Sequence, residues 1–362
     1  MSSTNSRIFL SPPSVSSRER AYVKHAFDSG YVAPCGPQVD EFERRLARLA
    51  GRKFAVAVSS GTAAIDLVMA ELGVDSSWTV IAPTLTFIAT VGPAYHRGAK
   101  LAFVDCDATG NIDVSLLRAA LADLHASGRV LVIGVDLYGA CCDYAAIAGL
   151  CRKYGAIFVD DAAEAVGATC GRRPAGSAGL AGVFSFNGNK IITTSGGGAI
   201  VTDSRALADR AKKRAQQSRE KCVWYEHREV GYNYRMSNVL GALGLAQLDR
   251  LPVFLRKRKS NFEWYRRHFK GDILVPAEGS NHWLTVGLLA SSRERDALAR
   301  RFEKANIETR PVWKPMHLQP VFSGCKVYGG EVAAELFARG ICLPSGSDLK
   351  AEDFRRIAEV LG

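Results

Sequence analysis

The sequence predicts an α/β protein in which a large domain with a mostly parallel sheet is followed by a smaller C-terminal α+β domain. Three observations lead there. From about Lys53 to Asp203, short apolar segments alternate with helical ones. The chain carries 34 glycines, many in short runs between those segments, where tight turns join strands to helices. After Leu251 the alternation stops and the character becomes basic and mixed. A chain of 362 residues, 47% of them hydrophobic, also exceeds what one compact core requires. The expected division is 1–250 for the large domain, with an N-terminal arm at about 1–17, and 251–362 for the small one.

Taken in order, strands are expected at Phe54–Val58, 79–82, Lys100–Val104, 130–135 and 156–159, each separated from the next by a helical stretch. Two further stretches, 205–221 and 256–270, read as helices with basic outer faces, the second belonging to a long helix opened by Pro252. A strand at 283–289, a helix at 294–305 and a last short strand at 341–343 complete the small domain. In parallel sheets of this kind ligands sit beyond the carboxyl ends of the strands, so the residues that follow each strand carry the functional information.

Composition excludes several classes. The first 17 residues hold one arginine and a short apolar patch at 8–10, less than a signal peptide needs, so a cytoplasmic protein is expected. The longest apolar runs are strand-sized, and no membrane partner is expected. Nine cysteines, an odd number without CxxC spacing, argue against a zinc site or a disulfide framework; the expected metal count is none. The adjacent Cys141 and Cys142 are the one pair that stands out. The net charge of +11 lies mainly in the two basic helices. It fits a nucleic-acid surface, a solvated helix face, or a field that draws in an anionic small substrate. The Arg and Lys residues have no aromatic residues or Gly interleaved among them, so no nucleic-acid partner is expected.

Three places carry chemistry. Ser59, Ser60, Gly61 and Thr62 follow the first strand and open the helix 63–72, a pattern that suits a phosphate at a helix N-terminus and equally a simple capped helix. Asp160 and Asp161 end the fifth strand, where alternation directs only one of them toward a ligand. A carboxylate there can keep a pyridine nitrogen protonated, but it can also cap a helix or bind a metal. Lys190 stands between an apolar strand and the glycine-rich turn TTSGGG at 193–198, an odd place for a surface charge. A buried lysine gives up its proton more readily and can form a Schiff base.

The ordered set SGTAA at 60–64, PTLTFIAT at 83–90, VDLYG at 135–139, DDAAEAVG at 160–167, SFNGNK at 185–190 and GYNYRMSN at 231–238 resembles the DegT/StrS-type nucleotide-sugar aminotransferases over nearly the whole chain. The resemblance implies a fold-type I aminotransferase using pyridoxal 5'-phosphate. It implies Lys190 as Schiff-base lysine and proton shuttle, and Asp161 as partner of the pyridine nitrogen. Phe87 matches the aromatic residue stacked on the ring, and Gly61, Thr62 and Ser185 match the phosphate cup. Asn233 matches the residue that reaches the phosphate from a second subunit, which implies a homodimer with shared active sites. Glu164 falls where the family usually has His or Gln near the ring oxygen, and Asn187 where many relatives carry an aromatic residue or His. As ordinary structure, Phe87 would be core and Asn233 a cap for the helix that begins near Ser237.

The wording of SFNGNK, TTSGGG and VWKPMHLQPVF at 312–322 is most similar to enzymes that aminate C4 of UDP-4-keto-6-deoxy-N-acetylglucosamine with L-glutamate as donor, on the route to UDP-N-acetylbacillosamine and bacterial glycans. Arg235, Lys314 and His317 are candidates for the sugar or its diphosphate, with surface or interface roles as the alternative. Enzymes acting on GDP- or dTDP-keto-sugars, perosamine synthases among them, are the second reading. A non-catalytic regulatory or binding protein on the same fold is the third, opposed by the filled catalytic positions.

Overall fold

The computed structural model describes residues 6–362; the part of the expected arm at 1–5 lies outside the described residues. Eight strands form one sheet: β1 (Phe54–Val58), β2 (Trp78–Pro83), β3 (Lys100–Val104), β4 (Arg129–Val135), β5 (Ile157–Asp161), β6 (Ala181–Ser185), β7 (Gly198–Thr202) and β8 (Lys326–Tyr328). Their order is β1-β7-β6-β5-β4-β2-β3-β8. All neighbours run parallel except the two pairs made by β7, so the expected mostly parallel sheet is present.

The strands are apolar without interruption because both sheet faces are covered. Alternate residues feed two separate cores. Val130 and Val132 of β4 pack with Phe42, Leu46, Leu117 and Ile147 on one face, while Leu131 and Ile133 pack with Ile65, Leu67 and Leu207 on the other. The result is three layers, with helices Pro37–Leu49, Val114–Leu124 and Tyr144–Tyr154 on the first side and Gly61–Leu72 and Arg205–Ala215 on the second.

The C-terminal part contains a four-stranded antiparallel sheet ordered Asp272–Ile273, Thr285–Leu288, Gly340–Leu343, Arg310–Pro311. Helices Ser292–Lys304 and Ala351–Leu361 cover it through a third core that includes Phe302, Ile307, Ile341 and Ile357.

Two expectations need correction. Pro252 does not open a helix; it lies inside one continuous helix, Asn238–His268, whose N-cap is Ser237. Packing along its length, from Leu245 and Leu248 to Phe254 and Tyr265, outweighs the local cost of proline, and the expected boundary at 250/251 falls within this helix. The basic helix at 205–221 ends at Ala215, because Gln217 and Ser218 adopt positive φ of 64° and 55° and turn the chain away.

The short strand β8 went unread in the sequence, and a single buried side chain explains how it is held. Asp105, just past β3, accepts backbone N–H groups from Gly330 (2.7 Å) and Val332 (3.0 Å) on Oδ2 and from Cys106 (2.8 Å) and Ala333 (2.9 Å) on Oδ1. It thereby caps helix Glu331–Arg339 from another part of the chain, where the local N-cap, Gly330, has no side chain to do so. Asp105→Ala leaves these buried donors without an acceptor, and urea unfolding is expected to show a loss of about 2–4 kcal/mol. A loss under about 0.5 kcal/mol would mean that water replaces the carboxylate.

Candidate active site

A cavity of about 650 Å³ opens beyond the carboxyl ends of β1, β2, β5 and β6. The phosphate-type corner is built first. Ser60 caps helix Gly61–Leu72 by accepting the Ala63 N–H at 3.0 Å. The N–H groups of Gly61 and Thr62 have no acceptor among the described residues, and they face the cavity wall formed with Ser59 and Ser185. The approach is close: a Cβ on Gly61 would sit 3.1 Å from Cβ of Ser185, and one on Gly198 would collide with the Ser60 carbonyl carbon. Such a helix N-terminus offers partial positive charge and oriented donors to an anion.

At the other end of the cavity stands Asp161, 5% exposed. Its Oδ2 accepts the Thr90 hydroxyl at 2.7 Å and its Oδ1 the Ala163 N–H at 3.2 Å. Burial pushes the carboxyl up, while the Thr90 and Ala163 donors and the charge of Lys190 act in the opposite direction. Lys190 approaches from the turn after β6. Its Nζ lies 3.3 Å from Oε1 of Glu164 and 4.1 Å from the ring centre of Trp283. Oε2 of Glu164 accepts the Tyr138 N–H at 2.7 Å. Burial raises Glu164 to about 7, against the pull of Lys190.

The rest of the wall is aromatic and comes from distant segments. Trp313 lies 5.5 Å from Phe87 and 5.2 Å from Tyr138, ring centre to ring centre, and Trp283 lies 6.4 Å from Trp313. Phe9 to Pro13 of the N-terminal arm close one side, and Asn187 and Arg310 also line the space.

The pleat separates Asp160 from Asp161, as the alternation predicts. Asp160 points to the opposite face, accepts the Gly176 N–H at 3.0 Å and keeps Oδ1 without a partner. There it meets Asp136, which accepts the Tyr144 hydroxyl and the Cys142 N–H. The ligand atoms of Asp136, Cys142 and Asp160 lie within 4.8 Å of one another. Burial raises Asp136 to about 7 and Asp160 well above the carboxylate range, the charge of Asp136 adding to the rise of Asp160.

Residues 13–362 match the DegT/DnrJ/EryC1/StrS aminotransferase family. The chain belongs to this family. Relatives agree over almost the whole length. EpsN of Bacillus subtilis, provisionally described as a pyridoxal phosphate-dependent aminotransferase, is 41% identical over 98% of this chain and 95% of its own. A UDP-4-amino-4,6-dideoxy-N-acetyl-β-L-altrosamine transaminase of Campylobacter jejuni is 37% identical over 90% of this chain and 89% of its own. GDP-perosamine synthase of Escherichia coli O157:H7 is 33% identical over 96% and 95%. Among solved structures, the aminotransferase TlmJ of Streptoalloteichus hindustanus superposes with a TM-score of 0.90, at 29% identity and covering 97% of each chain. The protein is thus a pyridoxal phosphate-dependent sugar aminotransferase of fold type I.

The residues present fit that cofactor. The unpartnered N–H groups of Gly61 and Thr62 suit its phosphate, and a buried carboxylate with no cation bonded to it suits a protonated ring nitrogen. The Lys190 side chain lines the same cavity. Gly61, Thr62, Phe87, Asp161, Glu164, Ser185 and Lys190 all line the one cavity, and Phe87 is half exposed at its mouth instead of being core.

Four sequence candidates lie elsewhere in this aminotransferase. Arg235 is buried and bonded to Glu43 and to the Ala57 carbonyl; its strand-like neighbours turn it inward, away from any substrate. His317 engages the Thr84 hydroxyl through Nδ1 at 2.6 Å, and Lys314 is exposed outside the cavity. Asn233 is exposed and does not line the chain's own cavity, nor does it cap the helix, a task performed by Ser237. Sequence reading missed Thr90, Trp283, Trp313 and the arm. Thr90 and Trp313 stood in quoted motifs and could have been found; Trp283 and the arm come from segments whose approach to Lys190 leaves no local signal.

The two raised acids give a pH test. An acid whose folded pKa is raised contributes stability below its unfolded pKa, near 4, and loses it as pH rises through the folded value, near 7 for Asp136. Asp160→Asn keeps an acceptor for Gly176 and removes the second acid. Between pH 5 and pH 8 its urea stability is expected to fall less than the wild type's, by about 1–3 kcal/mol. Equal slopes in the two proteins would show that Asp160 does not titrate above its ordinary range.

Proposed function

We propose that this aminotransferase transfers the amino group of L-glutamate to C4 of a nucleotide-linked 4-keto-6-deoxy sugar, UDP-4-keto-6-deoxy-N-acetylglucosamine being the preferred substrate, to give a UDP-4-amino sugar for bacterial glycan synthesis. The observation that carries the reading is the cavity that Lys190, Asp161 and the helix N-terminus at Gly61 line together. Bound pyridoxal phosphate supplies an aldehyde that exchanges between amines and a ring that withdraws electrons from the donor's α-carbon. Asp161 would hold the ring nitrogen's proton, and Gly61, Thr62 and Ser185 would hold the phosphate. Lys190 Nζ would hold the aldehyde and would carry the proton taken from the donor's α-carbon. Glu164 stands beside it, its carboxyl raised by burial to about 7.

The UDP sugar is supported by the motif wording and by likeness to a transaminase named for a UDP-linked N-acetyl sugar. Likeness to GDP-perosamine synthase supports the second reading, a GDP-linked sugar. A homodimer accompanies the proposal. Asn233 faces away from its own cavity, and the segment before it exposes Val223 (97%), Trp224 (64%), Tyr225 (78%) and Val230 (89%), apolar surface that a second copy would cover. A cytoplasmic location fits the nine free cysteines, and no helix among the described residues is long and apolar enough to cross a membrane.

Mass spectrometry of the purified enzyme with L-glutamate and a panel of UDP-, dTDP- and GDP-4-keto-6-deoxy sugars is expected to show amination of the UDP-N-acetyl sugar. Turnover of another nucleotide sugar alone overturns the substrate and keeps the reaction. Lys190→Ala is expected to fold and to lose the borohydride-reducible cofactor adduct. In Glu164→Gln, kcat is expected to fall roughly ten- to hundred-fold, and the wild-type limb of kcat/KM near pH 7 to vanish. A limb that survives the substitution belongs to another group.

A further inference from the structure

Arg258 is 1% exposed, in the middle of the long helix, and no carboxylate lies within ion-pair distance of it among the described residues. Burial lowers its guanidinium to about 9, with only the charge of Asp348 opposing. A buried cation without a counterion is destabilising, so the position calls for a geometric reason. The geometry is specific. Nη1 donates to the Trp283 carbonyl at 2.5 Å, Nη2 to the Ser11 hydroxyl at 3.0 Å and Nε to the Ser347 hydroxyl at 3.3 Å. Three segments far apart in sequence meet on one planar fork, which no neutral side chain could span.

Two of those segments continue to the same atom. The Ser11 hydroxyl donates to the carbonyl of Asn189 at 2.6 Å, and the indole N–H of Trp283 donates to that carbonyl at 2.7 Å. The peptide so gripped is the one that leads into Lys190, and the Trp283 ring itself lies under Lys190 Nζ. The third segment has other holders: one face of the same helix places Asn261 on the carbonyls of Ser345 and Gly346 and Tyr265 on that of Pro344. The distinctive task of Arg258 is therefore the pair formed by Ser11 and Trp283.

We propose that Arg258 is a positioning residue for Lys190, acting through Ser11 and Trp283 on the Asn189 carbonyl. The proposal rests on the reading of Lys190 as the cofactor's lysine. It assigns to the N-terminal arm a part in orienting the reacting amine as well as in closing the cavity. A guanidinium replaced by an ammonium reaches fewer of the three acceptors, so the peptide before Lys190 gains freedom.

The test uses the cofactor-loaded enzyme and the variants Arg258→Lys, Ser11→Ala, Trp283→Phe and Arg258→Lys/Ser11→Ala. The readouts are the pH midpoint of the bound cofactor's absorbance, the rate of borohydride reduction, and kcat and KM for the donor. Arg258→Lys is expected to lower kcat about ten-fold with KM changed less than about two-fold, and to shift the absorbance midpoint. Ser11→Ala and Trp283→Phe should shift the midpoint in the same direction, and the double variant should show less than the sum of its parts. A merely structural role would lower the melting temperature and leave the midpoint in place, which overturns the proposal, as do additive effects in the double variant. If Arg258→Lys fails to fold, Ser11→Ala and Trp283→Phe decide alone: an unchanged midpoint in both overturns it. A reducible adduct surviving in Lys190→Ala overturns the reading of Lys190 itself; its loss there, with the other variants unaltered, overturns only the positioning role.

Discussion

Keeping acids out of water at the ends of β4 and β5 is the constraint around which the site is arranged. Asp136, Asp160, Asp161 and Glu164 are all buried within a few residues of those strand ends. Desolvation alone would neutralise each of them. Three different arrangements meet the problem. Asp136 accepts the Tyr144 hydroxyl and the Cys142 N–H, Asp161 collects a hydroxyl and a backbone donor, and Glu164 is placed against Lys190 Nζ. The pleat is what allows adjacent residues such as Asp160 and Asp161 to live under different rules. The three layers exclude water from both sides, so each acid's state is set by its few partners.

The remaining architecture follows from holding those partners still. Lys190 is the least constrained of the groups, because it sits on a turn after β6 and not on a strand. Its neighbours are correspondingly elaborate: Trp283 from the segment before a small-domain strand, Ser11 from the arm, and Arg258 from a helix that runs through both parts of the chain. Arg258, Asn261 and Tyr265 all lie in the part of this helix beyond Pro252, where Arg258 and Tyr265 are fully buried.

What was legible in the sequence is what local pattern controls. Strands β1 to β5 announce themselves by apolar alternation with helices, Ser60 by its place before Gly61, and Asp161 and Lys190 by following strands. Unread were features that depend on long-range contacts. β8 has three residues and owes its place to Asp105, more than 220 residues earlier in sequence from the helix it caps. Arg235 looked like a ligand for an anion because its motif is family-like; its partner Glu43, 192 residues away, could not be seen. Trp283 read as the start of a strand, and nothing near it in sequence indicates Lys190.

Charge is divided in a way that separates attraction from binding. The net +11 is distributed over outer surfaces, with Arg256, Lys257 and Arg266 among its carriers, whereas the cavity wall contains only two cations, Lys190 and Arg310. Both are already engaged, Lys190 with Glu164 and Arg310 with Glu308 at 2.9 Å. The corner that suits a phosphate therefore relies on oriented backbone N–H groups at Gly61 and Thr62. Such dipoles are fixed by the fold, need no counterion before the anion arrives, and leave Lys190 free to change partners during the reaction. The basic exterior can raise the local concentration of an anionic substrate without adding a further cation to the cavity wall.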